Sequence, residues 1–433
     1  MTATPTTPVR LTPEDIENPV GAYAAFREQS ELPRVVLPGL DTPVRLVTRY
    51  ADVKAALTEP RLVRDRSTNA APAAAGSDAG PDADPAAGSA SDPQEELLAA
   101  AFEGFPADYA KYLAGHLALF DGEEHARRRA PLTRAFTARR IAALRGFVER
   151  TAAELLADLA AKDEPADLLG EFAYPLTTYV VCELVGVEEA DRARVCEWIR
   201  DFAYGDGSRT VDGLVGIVDY VKELIARRRA EPTEDLISAL VHDTREGEEP
   251  LDEDDLVTVV FLLINTGITP PALFLAHGLL ALFDHPDQLA RLRAEPQLLE
   301  RAVPELLRHV TLVRIGATLY AAEDFEFAGT ALRAGDPVTV ALLAADHDPQ
   351  EYGEAPERLD IAREFGRGDG HLAFGHGAHY CLGAALGRLV TSVVLDQVVI
   401  RRPDAALGVG REELEFGHWP ADGFHLLRLP VRL

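Results

Sequence analysis

The feature that most constrains this chain is a ten-residue loop, Phe374-Gly-His-Gly-Ala-His-Tyr-Cys381-Leu-Gly383. It presents one cysteine in a glycine-punctuated turn, and the helix-forming run Ala384, Ala385, Leu386 follows at once. Gly375 and Gly377 can take positive φ and turn the backbone tightly. Backbone N–H groups in such a turn can point at the sulfur and tune its potential. A thiolate presented this way suits the axial position of a haem iron, where it favours O–O cleavage. Gly383 leaves room for a flat macrocycle, and His379 and Arg388 suit carboxylates such as its propionates. The competing reading is a buried free cysteine in a glycine-rich turn.

The chain has 433 residues, enough to bury a large core. Its formal charge of −28 argues against general nucleic-acid binding. No run of eighteen or more apolar residues is evident, so no membrane span is expected. The N-terminus has no basic-then-apolar leader pattern, and a cytoplasmic location is expected. Three cysteines do not make a disulfide framework; Cys182 and Cys196 read as small core residues in helix-like surroundings.

Along the chain, Pro19–Glu28 and Tyr50–Leu57 read as helices. Arg34–Leu37 and Val44–Thr48 alternate like a hairpin. Residues 69–95 are Ala, Gly, Ser, Pro and Asp with no large apolar side chain, and read as a disordered insertion; a lid over a substrate channel is the alternative. Residues 96–245 are mostly helical by period. Leu251–Asp284 is a long apolar segment interrupted at Pro270 and Pro271, where a sharp kink is expected. Residues 318–345 and 412–433 read as short strands. The expected class is mainly α, with a smaller β region.

The pattern F-G-x-G-x-H-x-C-x-G resembles the haem loop of the cytochrome P-450 family, in particular its bacterial, actinomycete-type members. Glu305-Leu-Leu-Arg308 is similar to the family's E-x-x-R pair, and Glu124-His125-Ala-Arg-Arg-Arg129 to its E-H-x-R-x-R segment. The resemblance covers nearly the whole chain as one P-450 domain, 1–433. It implies haem b with Cys381 as axial thiolate. It also implies cofactor contacts from His125, Arg129, His379, Phe374, Gly375 and Gly383. Glu305 and Arg308 are expected to lock the core behind the loop. Arg127 and Arg128 are expected to face elsewhere, in a positive patch where an acidic ferredoxin docks.

The chain departs from the family in its central helix. The usual glycine falls at Gly267, but the acid position holds Thr269 and the threonine position Pro270. The pair that helps deliver protons for oxygen activation is therefore absent. Thr269 and Thr266 are the candidates for replacing some of its hydrogen bonding. Three readings stand. Substrate hydroxyls or ordered water supply the protons; or peroxide use or hydrogen abstraction makes the relay matter less; or the chain is no longer an oxygenase. The family's arginine four residues before Glu323-Asp324 is Leu319 here, with Arg314 a possible substitute. Asp346-His347-Asp348-Pro349 stands where Asn-Arg-Asp-Pro is usual.

The resemblance implies a haem-thiolate monooxygenase or oxidase acting on a small organic molecule, often in secondary metabolism. Its electrons would come through a ferredoxin and a ferredoxin reductase. The pocket is expected near Ile264, Asn265, Ile268 and Val313, with a loop around Trp419 to Phe424. The rival reading is a non-catalytic relative that activates a glycosyltransferase.

Overall fold

The computed structural model describes residues 7–64, 104–115, 117–162, 164–205, 207–242, 250–366, 368, 370–419 and 423–433. The segment 69–95 lies outside them. Helices make up most of the middle of the chain, including Gly122–Ala135, Arg145–Ala160, Tyr174–Val185, Arg192–Tyr204, Ser208–Ala230 and Glu253–Asp284. Leu299–Val310 and Ala384–Leu395 follow.

The strands are short. They are β1 Val9–Arg10, β2 Arg34–Val36, β3 Val44–Val47, β4 Leu62–Val63, β5 Ala166–Asp167, β6 Leu319–Ala321 and β7 Phe325–Phe327. After them come β8 Thr330–Leu332, β9 Pro337–Val340, β10 Ala406–Leu407, β11 Phe416–Trp419, β12 Gly423–Leu426 and β13 Pro430–Arg432. One sheet runs β1-β2-β3-β9-β6-β4. The expected hairpin is β2 against β3, antiparallel, with Val35 opposite Val44. Strands from the start of the chain thus pair with strands more than 250 residues later.

The helix Glu253–Asp284 organises the helical part. Asp252 caps it by accepting the Asp255 N–H at 2.7 Å, and Glu253, Asp254 and Asp255 place negative charge at its positive end. Its 32 residues make a rod of about 48 Å. Gly267 faces the helix Tyr174–Val185: a Cβ there would stand 2.9 Å from Val181 Cγ2. The glycine therefore sets how closely the two helices approach.

The sequence predicts a sharp kink at Pro270 and Pro271; the helical assignment continues through both, from Glu253 to Asp284. Proline removes the N–H donors to the carbonyls of Thr266 and Gly267. Buried residues on both sides, Val257 to Ile264 and Ala272 to Ala276, hold the helical path by tertiary packing. Two stretches, Leu168–Val185 and Glu253–Asp284, are long and apolar enough by length and composition to cross a membrane, though neither is an uninterrupted apolar run. Most of each is buried inside the fold, as core helices are.

The helix Leu299–Val310 carries Glu305 and Arg308, both fully buried. Arg308 Nε and Nη2 donate to the two oxygens of Glu305, each at 2.8 Å. Arg308 Nη1 donates to the carbonyls of Asp346 and Pro356, also at 2.8 Å. Glu305 further accepts from the Asp360 N–H at 2.9 Å and from Arg363 Nε at 3.0 Å. The pair thus pins the segment that leads into the cysteine loop. Asp346 continues the network, accepting from Thr311 Oγ1 at 2.7 Å and the Leu372 N–H at 2.7 Å.

Removing one partner of such a pair leaves an uncompensated buried charge. Arg308→Met is expected to cost about 3–5 kcal/mol in urea unfolding, part of it recovered when Glu305→Gln is added. Burial raises the Asp346 carboxyl from 3.8 to about 7, against the pull of Thr311, Leu372 and Arg308. An acid with a raised folded pKa contributes stability that is complete below pH 3.8 and is lost as pH rises toward 7. Asp346→Asn should flatten that fall between pH 4 and 7, and an unchanged pH profile would rule out this role.

Candidate active site

The cysteine loop is built by its own backbone. Gly375 and Gly377 have φ of +70° and +73°, so both need the left-handed region. The Cys381 N–H donates to the Phe374 carbonyl at 2.9 Å, closing the loop on itself. A Cβ on Gly377 would meet the Leu57 carbonyl oxygen at 2.7 Å, so the loop lies hard against the end of the helix Tyr50–Ala56. Gly383 sits at φ −81° and ahead of the helix Ala384–Leu395.

Cys381 is accessible, yet its thiol is desolvated enough to push its pKa up, the combination expected in an internal recess. The N–H groups of Gly383 and Ala384 and the charges of Arg129 and Arg388 pull the other way. They favour the thiolate, as a helix N-terminus does. By contrast, burial pushes Cys182 up to about 12 and raises Cys196; Cys182 is a core thiol, whereas Cys196, expected in the core, is half-buried.

The structure brings the expected cofactor residues together. His125 and Arg129 lie one turn apart on the helix Gly122–Ala135. His125 stacks on His379 with ring centroids 4.0 Å apart. Arg129 donates to the Tyr380 carbonyl, next to Cys381. The His125 Nε2 is buried with no hydrogen-bond partner, and burial lowers the imidazole to about 4. His379 Nε2 lies 3.5 Å from Asp121 Oδ1. An orphaned imidazole nitrogen, a desolvated arginine and a thiol backed by two N–H groups are a donor set that fits haem with its carboxylates. Phe374 carries Arg388 over its ring at 4.9 Å, and Arg388 donates to the Tyr380 hydroxyl at 2.9 Å. Tyr380 therefore ties both arginines to the loop, a role no spacing in the sequence announces.

The central helix presents Asn265, Thr266, Thr269 and Pro270 on one side. Thr266 is exposed and donates back to the Leu262 carbonyl at 2.7 Å, so its hydroxyl is used by its own helix. Thr269 Oγ1 is buried without a partner. Ile264 and Ile268 are 1% and 0% exposed and lie on the opposite side, in the core. They are corrected from pocket lining to packing, because residues four apart share the face turned away from Thr266. Val313 is 43% exposed. A cavity of about 660 Å³ lies further along the same helix, bordered by His277, His285, His309, Arg314 and Phe424. Phe424 belongs to the loop expected at the pocket, whereas the Trp419 side chain is outside the described residues. Burial holds His277 and His309 near 3, so both are neutral.

Two further expectations change. Arg127 pairs with Glu124 and Asp255, each at 2.8 Å, and Arg128 with the same two carboxylates at 2.6 Å. Two cations against two anions leave no positive patch there; they fasten the helix Gly122–Ala135 to the start of the central helix. Arg314 is not a stand-in for the arginine absent at Leu319. It pairs with Glu17 at 2.7 Å and donates to the carbonyls of Leu312 and Phe424.

A family profile described as Cytochrome P450 matches residues 208–401. Cytochrome P450 107B1 of Saccharopolyspora erythraea is 36% identical over 91% of this chain and 90% of its own length. The chain belongs to the cytochrome P450 family. Polyketide biosynthesis cytochrome P450 PksS of Bacillus subtilis is 32% identical to this P450 over 96% of both chains. The ligand-free P450 monooxygenase TamI superposes with a TM-score of 0.81 at 32% identity, covering 99% of this chain and 94% of that one. The mainly helical P450 fold, a monooxygenase activity and haem b on a cysteine thiolate follow from that membership.

Proposed function

We propose that this P450 oxidises a small organic molecule of secondary metabolism, with Cys381 as the axial thiolate and His125, Arg129 and His379 holding the haem carboxylates. The observation that carries the reading is the placement of Cys381. Its sulfur receives two backbone N–H groups and the field of two arginines, in a loop pinned by the Glu305–Arg308 pair. Bound there, haem supplies one-electron and dioxygen chemistry, and the chain supplies position and electrostatics. The name of the Bacillus subtilis relative points to polyketide-derived substrates. A ferredoxin and its reductase in the bacterial cytoplasm are the proposed electron source. Their docking surface is not the Arg127–Arg128 pair, whose charge is spent internally.

Proton supply is the unusual element. Thr269 offers a hydroxyl with no intramolecular partner, able to hold a water or a substrate hydroxyl. Thr266 is less suited, since its hydroxyl already serves Leu262. Substrate or ordered water then provides the proton that an acidic residue provides elsewhere in the family.

The test begins with haem content. The parent protein should show the red-shifted carbonyl band of a reduced haem thiolate, and Cys381→Ala should lose it. Thr269→Val should lower NADPH-coupled product roughly a hundredfold, the low end for losing a positioned proton-transfer group, while Thr266→Val changes it little. Equal losses in both would refute the assignment. Pro270→Thr restores an alcohol without its acid and should give no large gain in coupled product. A large gain would overturn substrate- or water-supplied protons.

A further inference from the structure

The strand pairing identifies a cation that the motifs do not. Leu62 of β4 faces Ala321 of β6, and Val63 faces Tyr320. Continued by one residue, this register sets Arg64 opposite Leu319, the position where the family resemblance leads one to expect an arginine. Directly opposed residues of an antiparallel pair project to the same side, with Cβ atoms about 4.5–5.5 Å apart. Leu62, two residues earlier and on the same side as Arg64, is buried, as is Leu319.

Arg64 is tied to the cofactor residues. Its backbone N–H donates to Asp121 Oδ2, while Asp121 Oδ1 lies 3.5 Å from His379 Nε2. Its Nη1 donates to the Ala118 carbonyl at 3.0 Å, just ahead of the helix that carries His125. The positive charge is felt at both His125 and His379. We propose that Arg64 is a haem-propionate ligand of this P450, supplying from the residue just after β4 the charge that the family resemblance places on the strand at 319. Burial pushes its guanidinium below the usual range, with Asp121 offsetting part of the cost. A desolvated cation so placed gains from a second anion. Arg64 adds to His125, Arg129 and His379, and the inference rests on the haem-thiolate reading above.

The experiment measures the rate at which haem-loaded protein loses haem to excess apomyoglobin. Arg64→Leu should lose haem roughly ten- to a hundredfold faster, the range for one charge-assisted hydrogen bond. Adding Leu319→Arg to that variant should return the rate toward the parent value, since the new guanidinium enters from the facing strand. Arg314→Leu should leave the rate unchanged. An unchanged rate in Arg64→Leu, or faster loss in Arg314→Leu instead, overturns the proposal. If Arg64→Leu alone does not fold, the double variant decides: restored folding with haem retained supports it, and failure overturns it. The parent protein's reduced carbonyl band separates the two levels. Its absence sinks the haem-thiolate reading itself, whereas its presence with an unaltered Arg64→Leu sinks only the ligand assignment.

Discussion

The Glu305–Arg308 ion pair is the constraint on which the rest of the structure depends. Two fully desolvated charges are costly unless every donor and acceptor is used. Here the guanidinium is shared between one carboxylate and the carbonyls of residues 346, 356 and 358, and Glu305 also takes up Arg363 and the Asp360 N–H. Those partners all lie in the irregular segment between the last strand of the sheet and the cysteine loop. Such a segment has little secondary structure of its own to define it. The ion pair supplies that definition, and through Asp346 and Leu372 it reaches within two residues of Phe374.

From there the logic is electrostatic. A partly desolvated thiol resists ionisation. The chain counters with two N–H groups at a helix start and with arginines that Tyr380 holds in place. Desolvation also keeps His125 neutral and lowers the guanidinium pKa of both Arg129 and Arg64. Each of these groups is costly by itself, and a dianionic macrocycle bound as proposed would relieve them together.

What the sequence made legible was local. The loop, the E-x-x-R spacing and the β2–β3 hairpin could be read because their geometry is set within a few residues. What escaped it was set by distant partners. Arg127 and Arg128 read as a free basic patch because Asp255, which neutralises them, is more than 120 residues away. Arg64 attracts no notice until β4 is laid against β6. Ile264 and Ile268 were assigned to the pocket because apolar residues beside a site read alike whichever way they face. The two prolines sit inside a continuous helix, where burial on both flanks outweighs their low propensity.

The Thr269-Pro270-Pro271 run leaves its mark on the backbone as well as on the side chains. Neither proline carries an N–H, so the carbonyls of Thr266 and Gly267 go without their usual rungs. An acid here takes a change at 269, an alcohol a change at 270, and the missing rung to Gly267 a change at 271. A single substitution in this turn therefore alters either a side chain's chemistry or one rung, and restores neither the acid–alcohol pair nor the full ladder.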